Sequence, residues 1–390
     1  MNEIHPVENL THSLIGAAIA ELALPVAAPA PQRRLFFWAG IIAANLPDAD
    51  LLYTRITPPP LGYLLHHRGH THTLVGVLAQ AALIGGFCLL PGIRGSVASS
   101  RGRFWMLIGA CLLSHITLDW WNSYGVHPFY PFNMHWYYGD AISIFEPWFW
   151  VVLGTAAAVN AKSDYARLML TGLFVALVVA LGVFGVVAKP ALVALIVVAG
   201  MLALLTKAMS RRARSGAALA ATGMFVVAMF GAKQFVRERA LASMLPGRRL
   251  QVIDVVLSPQ PANPLCWSAL AINLNERGAE YSMTRGVVSV TPGGMACGSD
   301  RGLSVQWDAP VRQSLPTLRT LARDDCWVRG WLQFSRAPMI GDGVIADYRF
   351  GGAVRGNFTS MEMRRGGDAC PAHITGWVLP RADLIQPGSL

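Results

Sequence analysis

Histidine and aspartate are concentrated in the first third of the chain. Nine of the ten histidines lie in residues 1–135, and four of these fall in the seven-residue run HHRGHTH at 66–72. Aspartates precede this run in NLPDAD and follow it, with another histidine, in SHITLD. Imidazole nitrogens and carboxylate oxygens are ligands suited to zinc, manganese or iron. The segment therefore has the composition of a divalent metal site.

The spacing of these residues allows them to meet. His115 and Asp119 are four residues apart, so both side chains project from one helical face about one turn from each other. In the HHRGHTH run, Gly69 permits a turn that would bring His67 and His72 together. The candidate ligands are His12, Asp50, His67, His72, His115 and Asp119. Because six groups exceed the needs of one tetrahedral ion, a two-metal site stays open.

Three further residues are candidates for other roles. Asp48 is a candidate general base, with Asp50 as the alternative, although its place after Pro47 is also typical of a turn or cap. Arg68 is a candidate contact for an anionic substrate group. Asp140 is either a plain cap or an acceptor that orients a ligating histidine. Isolated histidines elsewhere are predicted to be surface or hydrogen-bonded residues, namely His5, His127, His135 and His373.

The composition is that of a membrane protein. Hydrophobic residues make up 53% of the 390-residue chain and charged residues only 14%, with a mean hydropathy of +0.41. Soluble domains carry nearer a quarter charged residues. Strongly apolar stretches occur at 73–90, 104–120, 145–160, 166–187, 190–206 and 217–233, and weaker ones at 10–28 and 35–47. The predicted fold is mainly α, a polytopic transmembrane helix bundle with six to eight spans.

The formal charge of +10 supports this topology rather than nucleic-acid binding. The basic residues form small clusters between apolar stretches, as expected for cytoplasmic loops of a bacterial inner-membrane protein. Threading eight spans alternately places most clusters on one side and every candidate metal ligand on the other, periplasmic side. No Lys or Arg precedes Arg33, so a cleaved signal peptide is not indicated and we expect the first helix to be retained.

The sequence after residue 250 has a different pattern, with short β-rich runs in place of long apolar stretches. Short β-rich runs are predicted at 251–257, 286–294, 327–335, 343–352 and 373–379. This region holds Cys266, Cys297, Cys326 and Cys370, which predict one or two disulfides; a zinc site lacks the usual C-x2-C spacing. We therefore expect a metal-site helical domain (1–160), further transmembrane helices with a basic linker (161–249), and a small β-rich extramembrane domain (250–390).

The order and spacing of LTHSLIG, NLPDADLL, HRGHTHTL, SHITLDWWNSYGVHPFYPF and GDAISIFEPW resemble the bacterial membrane-bound metal-dependent hydrolase family, whose better-known members are LexA-regulated inner-membrane proteins. The resemblance covers about residues 8–150. It implies a hydrolase site at the six candidate ligands, with Asp48 and Asp140 also matching. Thr73 and Glu146 stand where that family usually has Ser and Asp, and His70 occupies a variable position.

The expected function is an inner-membrane metal-dependent hydrolase. One or two divalent ions, zinc first and manganese as the alternative, would activate water to attack an ester, amide or phosphoester. A site at the membrane face favours a lipid or lipid-linked substrate. Two alternatives stay open: a transporter whose cluster binds an ion or relays protons, and a non-catalytic membrane scaffold whose C-terminal domain binds an unknown partner.

Overall fold

The computed structural model describes residues 5–244, 250–275, 279–298, 302–363 and 369–386. Up to residue 244 the regular structure is helical. The helices are α1 (His5–Ala23), α2 (Ala30–Asn45), α3 (Leu61–His66), α4 (Leu74–Cys88), α5 (Pro91–Ala98), α6 (Arg101–Trp120), α7 (Pro147–Asn160), α8 (Asp164–Val183), α9 (Lys189–Thr206) and α10 (Arg211–Met244). Each predicted apolar stretch overlaps one of these helices.

The predicted six to eight spans are not confirmed. Within the described residues, four stretches are long and apolar enough to cross a membrane: Ala30–Ile56, Asp164–Val183, Lys189–Thr206 and Arg211–Met244. A fifth results if Leu61–His72 and α4, bent by 69° to each other, form one broken span. Helix α7 has 14 residues, about 21 Å at 1.5 Å per residue, which is shorter than the bilayer core of about 30 Å.

The C-terminal region contains two antiparallel sheets. The larger holds β1 (Leu250–Gln260), β2 (Asn263–Asn275), β3 (Glu280–Ser289) and β4 (Val305–Trp307) in that order, and β5 (Val311–Ser314) also pairs with β3. The smaller holds β6 (Pro338–Gly341), β7 (Val344–Asp347) and β8 (Met361–Glu362). Helices α11 (Leu315–Asp324), α12 (Cys326–Leu332) and α13 (Ala382–Ile385) complete the region.

Two of the predicted β runs are wrong. The runs that begin at 251, 286 and 343 contribute to β1, β3 and β7, but 327–335 mostly forms α12, and no strand is assigned within 373–379. Trp327 and Trp331 are four residues apart and both are buried, which suits one helical face. Asp325 caps this helix by accepting hydrogen bonds from two backbone amides. The apparent alternation in the sequence was therefore a short amphipathic helix.

The cysteines of this region form two disulfides, Cys266–Cys297 and Cys326–Cys370. The first joins β2 to the segment after β3. The second joins α12 to the segment that follows β8. These pairings account for all four cysteines predicted to form disulfides, so the alternative of a four-cysteine zinc site is excluded.

The C-terminal region packs onto the segment that carries the candidate ligands. Leu61, Leu64 and Leu65 of α3 belong to the same buried core as Trp331 of α12. Trp377 also donates a hydrogen bond from its indole to the Leu65 carbonyl, at 2.8 Å. Strand β1 begins at the predicted domain boundary, while residues 245–249 of the predicted basic linker lie outside the described part of the chain.

Candidate metal centre

Three short elements carry the candidate ligands. A 3-10 turn over Leu46–Leu52 follows α2 directly, because Pro47 has no N–H to continue the α-helical hydrogen bonding. A second 3-10 turn covers His70–His72. Before it, Arg68 adopts a left-handed backbone conformation with φ of 60°, and a Cβ on Gly69 would meet the His66 carbonyl at 2.9 Å. The third element is the last part of α6.

These elements bring four possible metal-ligand atoms to one point. Nε2 of His72 and Nε2 of His115 lie 3.1 Å apart. Asp48 Oδ1 is 3.4 and 3.3 Å from these two nitrogens, and Asp119 Oδ2 is 3.0 and 3.4 Å from them. The four residues form a group able to hold a metal ion.

The opposite nitrogen of each histidine has an acceptor. His115 Nδ1 donates to the Ala44 carbonyl at 2.6 Å, and since a carbonyl can only accept, this nitrogen carries the proton. His72 Nδ1 lies 3.2 Å from Asp50 Oδ2. With both Nδ1 atoms as donors and both Nε2 atoms unprotonated, the two rings would direct their Nε2 lone pairs at the same point. Such carboxylate and carbonyl partners are usual for metal-ligating histidines.

This arrangement fits a divalent cation. Two nitrogen lone pairs and two carboxylate oxygens repel one another at these distances unless a positive charge lies between them. Asp119 Oδ2 is buried and has no hydrogen-bond partner among the described residues, which is costly for an anionic oxygen. Asp119 pairs with the Arg68 guanidinium, whereas Asp50 and Asp48 lie against His67 and His72. With these histidines neutral, three carboxylates and one guanidinium leave a charge of −2, which one divalent ion balances.

Asp50 differs from the other carboxylates. Its oxygens accept hydrogen bonds from the Arg68 amide and the Thr71 hydroxyl, both at 2.9 Å, and from His67 Nδ1 at 3.0 Å. Asp48, Asp50 and His67 make a second possible metal group, so the two groups share Asp48. Because Asp50 is fully buried and has several donors, it is better suited to orienting the two histidines than to acting as the alternative general base.

The structure places His12 beside the first group rather than in it. Its ring stacks on the His115 ring at a centroid distance of 3.8 Å, and its Nε2 is 3.6 Å from Asp119 Oδ1. Neither possible metal group contains it. A predicted ligand thus becomes a neighbour that packs against one ligand and contacts another.

Arg68 has a different position from the one predicted. It is only 2% exposed, with Nη2 3.0 Å from Asp119 Oδ1 and Nη1 3.1 Å from Asn122 Oδ1. These contacts suit a positioning role for the guanidinium, and its contact with a substrate anion stays a prediction. Asn122 was not among the predicted residues, although its place three residues after Asp119, close to one turn of a helix, was the available signal.

Asp140 also lies elsewhere. Its two oxygens accept hydrogen bonds from Arg336 Nη1 at 3.0 and 2.8 Å, so the prediction that it orients a ligating histidine is corrected. Arg336 in turn pairs with Asp254 at 2.6 Å. Burial alone would raise the pKa of Asp254, but the neighbouring Arg336 and Arg381 lower it below its ordinary value.

These residues are part of a buried ionic cluster between the helical and C-terminal regions. Arg381 lies 3.0 Å from Asp254, and Arg349 pairs with Asp347 at 3.0 Å. Arg349 also donates to the Ser123 carbonyl at 2.8 Å, which joins it to the loop after α6. We call Asp140, Asp254, Asp347, Arg336, Arg349 and Arg381 the C-terminal cluster; Asp383 pairs with Arg381 at its edge.

Comparisons with known proteins cover the helical region. Residues 7–191, just under half of the chain, match the model of a family described as YdjM inner membrane protein. The inner membrane protein YbcI of Escherichia coli (strain K12) is 40% identical over 89 residues, which are 23% of this chain and 47% of that protein. The match thus spans about half of that relative's length. No solved structure matches the chain.

The family match includes every predicted ligand from His12 to Asp119 and excludes the C-terminal region. Together with the apolar helices, it supports a location in the inner membrane. The metal-dependent hydrolase activity and LexA regulation suggested by the sequence resemblance stay predictions, as does the periplasmic side.

Proposed function

We propose that this chain is an inner-membrane metal-dependent hydrolase in which His72, His115, Asp48 and Asp119 hold a divalent ion. The observation that carries the proposal is the convergence of four possible ligand atoms, with an acceptor beside the opposite nitrogen of each of the two histidines. Nitrogen and oxygen donors suit zinc first and manganese as the alternative. The second group, which shares Asp48, leaves a two-metal centre open.

The residues around the ion have separate roles. A bound divalent ion would supply Lewis acidity, polarising an ester or phosphoester and acidifying a water molecule. Asp48 has the most exposed side chain of the three carboxylates, at 11% against 0% for Asp50 and 4% for Asp119. It is thus our candidate for accepting the proton of the attacking water. Asp50 orients His72, while Arg68 holds Asp119.

We further propose a lipid or lipid-linked ester or phosphoester as the substrate. The centre lies on turns that adjoin apolar helices, including Ala30–Ile56 and the bent pair ending at Cys88. A substrate in the membrane surface would reach such a site without leaving the bilayer.

The test is turnover by the purified protein supplied with zinc or manganese, on a panel of phospholipids, lipid-linked phosphoesters and carboxylic esters. We expect metal-dependent hydrolysis that falls to background in His72→Ala. The matched control is His135→Ala, since His135 is exposed and bonds only to nearby Asn133 in the structure. Bound metal without turnover on any substrate would overturn the hydrolase proposal and favour a non-catalytic scaffold.

A further inference from the structure

A long groove lies between the helices that do not carry the metal centre. It has a volume of about 710 Å3 and runs between α7, α8 and α9, with α1 contributing Leu10 and Leu14. Apolar side chains such as Trp150, Leu170 and Phe174 form its walls. This volume is within the range of about 300–1,000 Å3 found for sites that bind small molecules.

One end of the groove is cationic. Arg167 lies in the first turn of α8, Lys207 directly follows α9, and Arg214 lies in the first turn of α10. Consecutive membrane helices alternate in direction, so the start of α8, the end of α9 and the start of α10 lie on the same side. The groove therefore has apolar walls that lead to a basic end.

The three cations differ in availability. Arg214 is buried and its guanidinium donates to the carbonyls of Thr206, Lys207 and Met209, which fixes the turn that carries Lys207. Lys207 itself is exposed. Arg167 is half exposed; it pairs with Asp164, whose side chain is 97% exposed, and donates a long hydrogen bond to the Ala161 carbonyl at 3.4 Å. An exposed pair of this kind is worth little, so Arg167 can exchange it for another anion.

We propose that this groove binds one anionic phospholipid, with an acyl chain between α8 and α9 and the phosphate at Arg167 and Lys207. The apolar walls match a hydrocarbon chain, and basic residues at a membrane surface attract anionic headgroups. Helices α8 and α9 are also the least covered candidate spans, with only 11% and 6% of their apolar windows buried. The site is separate from the metal centre and does not depend on hydrolase activity.

The charge of the headgroup is tested by native mass spectrometry of the full chain with added phosphatidylglycerol or phosphatidylcholine. We expect the wild type to prefer phosphatidylglycerol, and Arg167→Gln/Lys207→Gln to lower that preference about tenfold. The matched control is Arg94→Gln/Arg101→Gln, which removes two cations outside the groove lining. Equal preference in the wild type and the groove variant would overturn the proposal.

The acyl chain is tested by filling the groove. Gly200 lines the groove, and a Cβ there would meet nothing within 4 Å, so Gly200→Trp introduces bulk without a backbone clash. Gly172 of α8 has the same free space but lies outside the lining, which makes Gly172→Trp the matched control. We expect loss of the retained lipid in Gly200→Trp alone. Retention in both variants, or loss in both, would contradict the proposed position.

A measurement on the wild type keeps the proposal testable if either tryptophan variant fails to fold. Phosphatidylglycerol with a photoreactive acyl chain should crosslink to residues 170–177 of α8 and 196–204 of α9. Crosslinks spread evenly over other helices, or a dimer that shields these segments from lipid, would overturn it.

Discussion

Two buried clusters of charge in this protein are built from the same number of carboxylates but are balanced differently. In the C-terminal cluster, Asp140, Asp254 and Asp347 face Arg336, Arg349 and Arg381. In the metal centre, Asp119 alone of the three carboxylates pairs with a guanidinium, that of Arg68, while Asp48 and Asp50 contact histidines. Each carboxylate of the first cluster therefore has a guanidinium partner, whereas two of the three carboxylates of the second have only histidines as their basic partners.

The difference shows which buried charges indicate a function. A guanidinium can satisfy a carboxylate with two parallel hydrogen bonds, as Arg336 does with Asp140. Such a pair needs no further ligand, and its role is structural. At the metal centre, each of two Nε2 atoms instead lies 3.0–3.4 Å from the same two carboxylate oxygens. Converging acceptors, rather than burial or charge alone, point to a bound cation.

The largest expected effect is a loss of stability when the C-terminal cluster is broken. Arg336→Ala leaves Asp140 and Asp254 without their shared partner, and breaking a buried pair in this way costs about 3–5 kcal/mol. We expect a large drop in the thermal unfolding temperature of the detergent-solubilised protein. Adding zinc or manganese should not restore it, because this cluster has no converging acceptors.

The matched control for that variant is Arg355→Ala, since Arg355 and Glu362 form an exposed pair with side chains 59% and 79% accessible. Its unfolding temperature should stay close to that of the wild type. Equal destabilisation by the two substitutions would mean that the C-terminal cluster does not fasten the two regions together.

A smaller effect is expected at the metal centre from Asp50→Asn. Asparagine keeps the size of the side chain but weakens the acceptor that orients His72. Loss of such a supporting partner typically lowers metal affinity about 10- to 100-fold. Competition with a fluorescent chelator measures this affinity, and Asp164→Asn, at an exposed site, is the control. Unchanged affinity in Asp50→Asn would remove Asp50 from the supporting role.

The smallest effect concerns the boundary between the two regions. His127, predicted to be a surface or hydrogen-bonded residue, is fully buried. Its ring centroid lies 3.8 Å from a ring centroid of Trp136 and 3.8 Å from one of Trp377. Burial lowers the pKa of His127 to about 3. The unfolded chain therefore binds a proton near pH 6.5 that the folded chain does not, so folded-state stability falls as pH drops below about 6.5.

We expect this histidine to contribute a loss of about 1.4 kcal/mol per pH unit between pH 6 and 4. His127→Phe removes the titrating group and keeps an aromatic ring between the two indoles. Its unfolding temperature should thus fall less steeply with acid than that of the wild type. If the unfolding temperatures of the two proteins fell in parallel with pH, His127 would not be the neutral, buried group that makes folding sensitive to acid.

Sequence patterns predicted most of the helices and the residues that meet at the metal centre. The i, i+4 spacing placed His115 and Asp119 on one face of α6, and the density of histidines indicated the loop with His72. Local patterns could not assign roles, because these depend on which groups face one another across separate elements. Thus Arg68 was predicted to face substrate, whereas its guanidinium pairs with Asp119.

The C-terminal region was harder to predict for a similar reason. Asp140 becomes part of an ionic cluster through Arg336, which lies 196 residues away in the chain. A pairing over that distance leaves no signal in local spacing. The run at 327–335 suited a strand by composition, and only the cap at Asp325 and the four-residue spacing of its tryptophans distinguished a helix.

Elemental analysis of the detergent-purified protein tests the central claim most directly. We predict one or two equivalents of zinc or manganese in the wild type and in His135→Ala. The double variant His72→Ala/Asp119→Ala should lose them while keeping the elution volume of the folded protein on size exclusion. Absence of metal from wild-type protein purified without chelator, or equal metal in the double variant, would contradict a metal centre at these residues.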